Sequence, residues 1–368
     1  MKNLDENIIK NTKFIFNPCL EFTMAFTTIS KLNELKKLAE DLNYSISEEN
    51  ISLYDEMYNS LSKYMKSEIE YFNKICMIGG ILAAYSADFE DVENVKSLLD
   101  VIDKSDETLF LNYLGGMYIN AHEPTNHEGW DEVKNDIKKM QEYIEGVKVE
   151  DDEIKESVSE LFKNPDETKN RISFLFRSFY EKIYIKYEKK VEEICLGGID
   201  KYKKIFLDNP KDFMEKYLLD FFKTKDEDWQ YKINFHISFF KELYFWIINM
   251  HDYKQKAGWV VLGINTDKIV EKKRQNEQVD NFLKALSDPR RVKIIKLLAK
   301  KPHYGYEIAS ILELTPATVN HHMNFLFDAD IVGFNKIDNK VYFTLKKDKV
   351  RELLRLTEEI LLGDSTIL

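Results

Sequence analysis

The sequence predicts a mainly α protein in two parts: a large helical N-terminal domain with a small β-sheet, then a compact α+β module ending in a strand hairpin. Three observations carry that prediction. Lys, Glu, Leu and Ile dominate while only 13 Gly and 7 Pro occur in 368 residues, a composition that favours helices over sandwiches. Apolar residues recur at three- and four-residue spacing over most of the chain. Charge divides by region: residues 1–267 carry 35 basic against 50 acidic side chains, residues 268–350 carry 16 against 10, and residues 351–368 carry 2 against 4. One acidic body bears one basic module, the asymmetry expected where only the C-terminal part approaches phosphates. The domains are then residues 1–270, mostly helical and a candidate for sensing, effector binding or dimerisation, and residues 271–368.

Several classes are excluded at this level. No apolar run approaches the roughly 20 residues needed to span a bilayer. The opening MKNLDENIIKNTKFIF has acidic residues where a signal peptide would be basic. A cytoplasmic protein with no membrane partner is expected. Cys19, Cys76 and Cys195 are scattered and odd in number, which predicts reduced, buried thiols and excludes a disulfide framework or zinc knuckle. No phosphate-binding glycine loop, nucleophile elbow or cysteine–histidine pairing stands out, so no enzyme activity, cofactor or metal is expected. His122, Glu123, His127 and Glu128 cluster in HEPTNHEG, but Pro124 breaks any helical presentation and the segment reads as a solvated loop.

Along the chain, TKFIF (12–16) reads as a short strand. Asn17-Pro18 is a cap and first-turn proline opening a helix through CLEFTMAFTTIS. From about residue 30 to 225 helix follows helix, with breaks at Gly115-Gly116, HEPTNHEG, Asn164-Pro165 and Asn209-Pro210. The abundant aromatics Phe174, Phe176, Phe179, Tyr180, Tyr184, Tyr187, Phe221, Phe222 and Trp246 read as core sooner than as the lining of a pocket for an apolar effector. KINFHISF alternates and GWVVLGI is β-branched, so both read as strands sharing a sheet with TKFIF, while FFKELYFWIINM fits a strand or a buried helix. The polar run 271–278 is either a linker or the solvated start of the next helix.

Beyond it the signals agree. Val279, Phe282, Leu283 and Leu286 mark one helix face. Ser287-Asp288-Pro289 stops that helix and starts RRVKIIKLLAKK, which buries Ile294, Ile295 and Leu298. YGYEIASIL buries Ile308, Ile311 and Leu312. Thr315-Pro316 is another cap and proline, opening PATVNHHMNFLF, whose inner face is Val319, Met323 and Leu326. Its other face holds Ala317, Thr318, Asn320, His321 and Asn324, small and uncharged where a plain surface helix would carry Lys and Glu. Amides and hydroxyls so placed suit base edges in a major groove. His322 reads as a packed residue and Phe325 as a residue packed on the hairpin. Two strands around Asp338-Asn339 form a hairpin, or wing, with Lys336 and Lys340 beside its tip.

The stretch ALSDPRRVKIIKLL, then YEIASILELTPATVNHHMNFLFDADIVG and NKVYFTL, resembles the ArsR-type winged helix-turn-helix transcriptional regulators of bacteria and archaea. The likeness covers residues 279–346, about a fifth of the chain, with several motifs in order. Pro316-Ala317 stand where the family usually has Gln-Ser, Asn320 where serine is common, and Asn339 where glycine is frequent, so an operator cannot be borrowed. No cysteine lies beyond Cys195, which excludes the family's thiolate metal sensor. The resemblance implies double-stranded DNA as partner, with Thr315, Ala317, Thr318, Asn320, His321, Asn324, Lys336, Lys340, Arg290 and Arg291 at the interface. It also implies a homodimer built by flanking helices through Val279, Phe282, Leu283, Val350, Leu353, Leu354, Ile360 and Leu361. The expectation is a sequence-specific repressor on a palindromic operator, with an unidentified small-molecule or protein effector acting on residues 1–270. The competing readings are a winged helix that binds protein, and an enzyme carrying a regulatory winged helix.

Overall fold

A computed structural model describes residues 2–41, 44–89, 92–123, 129–218, 232–242, 245–248, 258–337 and 340–362. The chain divides into two compact units, Met1–Asp267 and Lys268–Leu368.

In the first unit a short strand, β1 (Thr12–Phe14), leads to the helix α1 (Pro18–Ser30). Asn17 caps α1 by accepting from the Cys19 and Leu20 N–H groups, and Pro18 occupies the first turn, where no donor is needed. α1 is apolar nearly all round and becomes the centre of the core. Phe22 and Phe26 meet the rings of Phe176, Phe179, Tyr180 and Tyr184 at centroid distances of 5.0–5.9 Å. Phe174 is an exception to the aromatic core, being half-exposed beside Tyr64, and Phe221 and Phe222 lie outside the described residues. Helix follows helix to Tyr217, with breaks at Asn164-Pro165 and Asn209-Pro210. No break occurs at Gly115-Gly116: the helix α2 (Glu107–His122) runs through it. Gly115 serves packing, since a Cβ there would fall well inside contact distance of the Trp130 ring.

β2 (Ile233–Ser238), β3 (Phe245–Ile248) and β4 (Gly258–Gly263) join β1 in a sheet of order β1-β2-β4-β3. β1, β2 and β4 are parallel, with Thr12 beside Ile233 and Phe235 beside Val260. β3 is antiparallel to β4, with Trp246 beside Val261. The ambiguous FFKELYFWIINM thus holds a strand at Phe245–Ile248. β2 is buried on both faces, as parallel strands are, so its one titratable side chain must find a partner inside. His236 Nε2 lies 2.8 Å from Glu21 Oε2, and the Asn17 N–H donates to Nδ1 at 3.2 Å, an arrangement that places the ring proton on Nε2. Glu21 also accepts from the Phe239 and Phe240 N–H groups. Two residues on, buried Glu242 takes a left-handed φ of 51° and accepts from Tyr54, Asn50 and Asn265. Two buried carboxylates thereby pin the chain at the carboxyl end of β2.

In the second unit the elements are α3 (Thr266–Leu286, which spans the division), α4 (Pro289–Leu298), β5 (His303–Tyr304), α5 (Gly305–Leu312), α6 (Pro316–Asp328), β6 (Val332–Ile337), β7 (Lys340–Leu345) and α7 (Lys347–Leu362). The polar run 271–278 is therefore helix. Strand order is β5-β7-β6, antiparallel throughout. Phe282, Ile294, Leu298, Ile308, Val319, Met323, Leu326, Ile331 and Leu353 form the core. Ile311 is not part of it and is 51% exposed. The buried arc of α5 runs through Ile308, Ala309 and Leu312, and at 3.6 residues per turn Ile311 falls roughly a third of a turn off its centre.

Candidate nucleic-acid interface

The interface is assembled by the turn between α5 and α6. α5 ends on Glu313 in the left-handed conformation (φ 53°), uncommon for a residue with a side chain. The chain then turns through Leu314, whose N–H closes onto Ala309 O at 2.9 Å. Thr315 caps α6: its Oγ1 accepts from the Thr318 N–H at 3.2 Å and lies 2.8 Å from Thr318 Oγ1. Pro316 fits the first turn. Val319, Met323 and Leu326 anchor α6 inward, while Ala317, Asn320, His321 and Asn324 lie on the exposed arc with Thr315. Thr318 is half-buried and its hydroxyl is engaged by the cap, which leaves it a weaker candidate for base contact than Asn320 or His321.

His322 faces inward. Neither ring nitrogen has a hydrogen-bond partner among the described residues, and the Asp288 carboxylate lies 3.7 Å from Nδ1. Burial holds its pKa below the ordinary imidazole value. Asp288 pulls the other way, and Arg291, His321 and Arg290 add to the lowering.

The two arginines separate. Arg290 is exposed in the first turn of α4, whereas Arg291 is only 7% exposed and unavailable to phosphate. Its Nε–H donates to Ala285 O at 2.8 Å, and its Nη2 donates to Lys284 O at 2.7 Å and to Ser287 Oγ at 3.2 Å. The two carbonyls lie in the last turn of α3, where a cation also meets the negative end of the helix dipole, and Lys284 O accepts from the Ser287 hydroxyl as well. The guanidinium lies over the Phe325 ring, 4.4 Å from its centroid. Among the described residues the Phe325 ring therefore packs on Arg291 and on His321. The ring that meets the wing is Phe327, beside Phe334 and Phe343. Helix phase could have found this: Arg291, Ile294 and Leu298 stand at i, i+3 and i+7 on one arc.

The wing pairs Ile337 with Lys340 and Phe334 with Phe343. Lys336 is exposed on β6. Asp338-Asn339 and the side chain of Lys340 lie outside the described residues. Asp330, also left-handed (φ 55°), enters β6 and pairs with Lys346. β5, unforeseen in the sequence, extends the wing by pairing His303 with Phe343 and Tyr304 with Tyr342.

The proposed dimer stripe also divides. Val279, Phe282 and Leu353 are buried within the chain, the last two in the core itself, and Val350 packs against that core. Leu283, Leu354, Ile360 and Leu361 remain exposed, Leu354 at 53% and Leu361 at 64%. In the first unit, His122 ends α2 with Nε2 2.9 Å from Ile75 O, while His127 and Glu128 lie outside the described residues. No group of three His, Cys, Asp or Glu able to hold a metal occurs among the described residues. All three cysteines are free and buried, and burial pushes the Cys19 and Cys76 thiols up to about 12.

The model of the arsR family of bacterial regulatory proteins matches residues 288–333, from the cap of α4 to the start of the wing. An HTH-type transcriptional regulator of Methanocaldococcus jannaschii is 32% identical over 85 residues, covering 23% of this chain and 96% of that protein. The chain belongs to the arsR family. A second arsR-type relative, the cadmium resistance transcriptional regulatory protein CadC of Listeria innocua, is 34% identical over 79 residues, and the match spans 21% of this chain and 66% of that regulator. Among solved structures, NolR from Sinorhizobium fredii aligns with 24% identity and a TM-score of 0.22, over 26% of this chain and 94% of its own. Family membership thus rests on about a quarter of the chain at most. Among the described residues no helix is long and apolar enough to cross a membrane.

Proposed function

We propose that the protein is a sequence-specific DNA-binding transcriptional regulator, a repressor, which acts in the cytoplasm as a homodimer on a palindromic operator and is not an enzyme. The observation that carries this reading is the exposed arc of α6: Ala317, Asn320, His321 and Asn324, uncharged and free of bulky aliphatic groups, presented by a helix whose other side is locked in the core. Such a face suits the donor and acceptor pattern of a major groove. Lys336, Lys340 and Arg290 supply phosphate contacts, which position the helix without reading sequence. Arg291 has no part in phosphate binding. Exposed Leu283, Leu354, Ile360 and Leu361 supply the dimer contact, so that operator half-sites lie about one helical turn apart.

The first unit then biases DNA binding through an unidentified small-molecule or protein effector, which must differ in affinity for the two states. The metal named for the Listeria relative is not carried over, since the three cysteines here are buried in the first unit. The Glu21–His236 pair supports a structural role sooner than a catalytic one, because both side chains are sealed from solvent.

Titration of a fluorescent duplex at two salt concentrations tests the reading. Affinity falling steeply with salt, with a slope reduced by about one in Lys336→Ala, is the expected result. Salt-independent or absent binding would favour the protein-interaction reading.

A further inference from the structure

Phe325 is a large apolar ring on the arc of α6 that carries the base-facing side chains, where it is 37% exposed. Nothing about a groove-facing helix requires an aromatic residue there, and its surroundings are specific. On one side it meets the His321 ring edge-to-face, at a centroid distance of 5.2 Å and an interplanar angle of 83°. On the other lies the Arg291 guanidinium at 4.4 Å, which is itself fixed by the carbonyls of Lys284 and Ala285 and by the Ser287 hydroxyl.

We propose that Arg291 and Phe325 are positioning residues for His321, holding its imidazole in the rotamer that meets the DNA. An exposed histidine on a helix samples several staggered side-chain states, and ordering it on binding costs affinity. The ring of Phe325, one helical turn on, restricts that freedom before DNA arrives. Phe325 would itself be mobile but for Arg291. The planar guanidinium suits this task because it donates in its plane to the end of α3 while its face stays open for the ring; a lysine ammonium does not combine the two. The chain of contacts is therefore Lys284 and Ala285, Arg291, Phe325, His321, and only the last touches DNA. The inference rests on the DNA-binding reading above and adds a specificity determinant that makes no DNA contact of its own.

The test uses the full chain with 13C-labelled histidine, with His321 assigned through His321→Gln. Phe325→Leu keeps an apolar side chain but removes the ring, and Arg291→Lys keeps the charge but removes the fork. Phe325→Leu is expected to shift the His321 ring resonances by loss of the Phe325 ring current, and Arg291→Lys to shift them because the Phe325 ring, no longer held, changes its position over His321. In a selection from random duplexes, both are expected to relax preference about three- to tenfold at the base pair that His321→Gln also relaxes. Adding Phe325→Leu to His321→Gln is expected to change that preference no further. Unmoved His321 resonances overturn the proposal whatever the DNA result. Shifted resonances with uniform weakening across all sequences also overturn it, since Arg291 and Phe325 would then be merely structural. A wild-type protein with no sequence preference overturns the DNA reading and this role with it, while the resonances still report whether the ring pair exists.

Discussion

His322 Nδ1 lies 3.7 Å from the Asp288 carboxylate, so α6 faces the cap of α4 at a contact too long for a hydrogen bond, and among the described residues the imidazole has no hydrogen-bond partner. The pH dependence follows from the direction of each shift. Burial holds His322 below its ordinary pKa of about 6.5, so the unfolded chain binds the extra proton first as pH falls. Its contribution to stability is complete above about pH 6.5 and is lost as pH falls through the lower native value. Asp288 is also held low, chiefly by the Arg290 N–H it caps, and its contribution, complete above about pH 3.9, is lost further into acid. The second unit is expected to lose stability below pH 6.5, and His322→Gln is expected to remove the first part of that slope. Urea unfolding followed by circular dichroism over a pH series measures both. An identical slope in the variant would contradict the assignment.

Gly115 and Gly116 differ in what surrounds them. A Cβ on Gly115 meets the Trp130 ring and lies 3.2 Å from Phe162, whereas a Cβ on Gly116 finds its nearest neighbour at 3.9 Å. Gly115→Ala is expected to destabilise the first unit by about 1–3 kcal/mol through overpacking. Gly116→Ala is expected to stabilise it by up to about 1 kcal/mol through helix propensity. All four tryptophans, Trp130, Trp229, Trp246 and Trp259, precede residue 268, so tryptophan fluorescence reads this unit alone. Equal effects of the two substitutions would show that the close approach at Gly115 is absent.

Much of this was legible in the sequence, and the exceptions have definite causes. Caps announce themselves: Asn17-Pro18, Asp288-Pro289 and Thr315-Pro316 each combine an acceptor side chain with a residue that lacks the N–H. The winged module was readable because propensity, cap and pattern agree at each element. Gly115-Gly116 misled because local propensity was outweighed by a tertiary contact some fifteen residues away. The exposure of Ile311 is hard to read from sequence because short helices give too few turns to fix the phase of the buried arc. Glu21, His236 and Glu242 gave no signal, since apart from Asn265, 23 residues beyond Glu242, their side-chain partners stand nearly two hundred residues or more away in sequence. The exposed face of α6 was readable, but the inward turn of Arg291 required following helix phase across α4.

Dimerisation is tested at the exposed half of the predicted stripe. Leu354→Lys with Leu361→Lys places two charges on positions that are more than half exposed, so the fold should survive. The expected result is a monomer by sedimentation, with DNA affinity reduced at least tenfold (about 1.4 kcal/mol) through loss of the second half-site. A variant that remains dimeric would place the interface elsewhere on the chain.

DNA reading by the α6 arc is measured most directly by selection from a random duplex library with the wild-type full chain and with Asn320→Ala/His321→Ala. The expected result is a two-fold symmetric motif for wild type, with half-sites about 10–11 base pairs apart, whose central preferences are lost in the variant while salt-dependent binding remains. The same motif from both proteins, or none from either, would contradict the assignment of the α6 arc as the face that reads DNA.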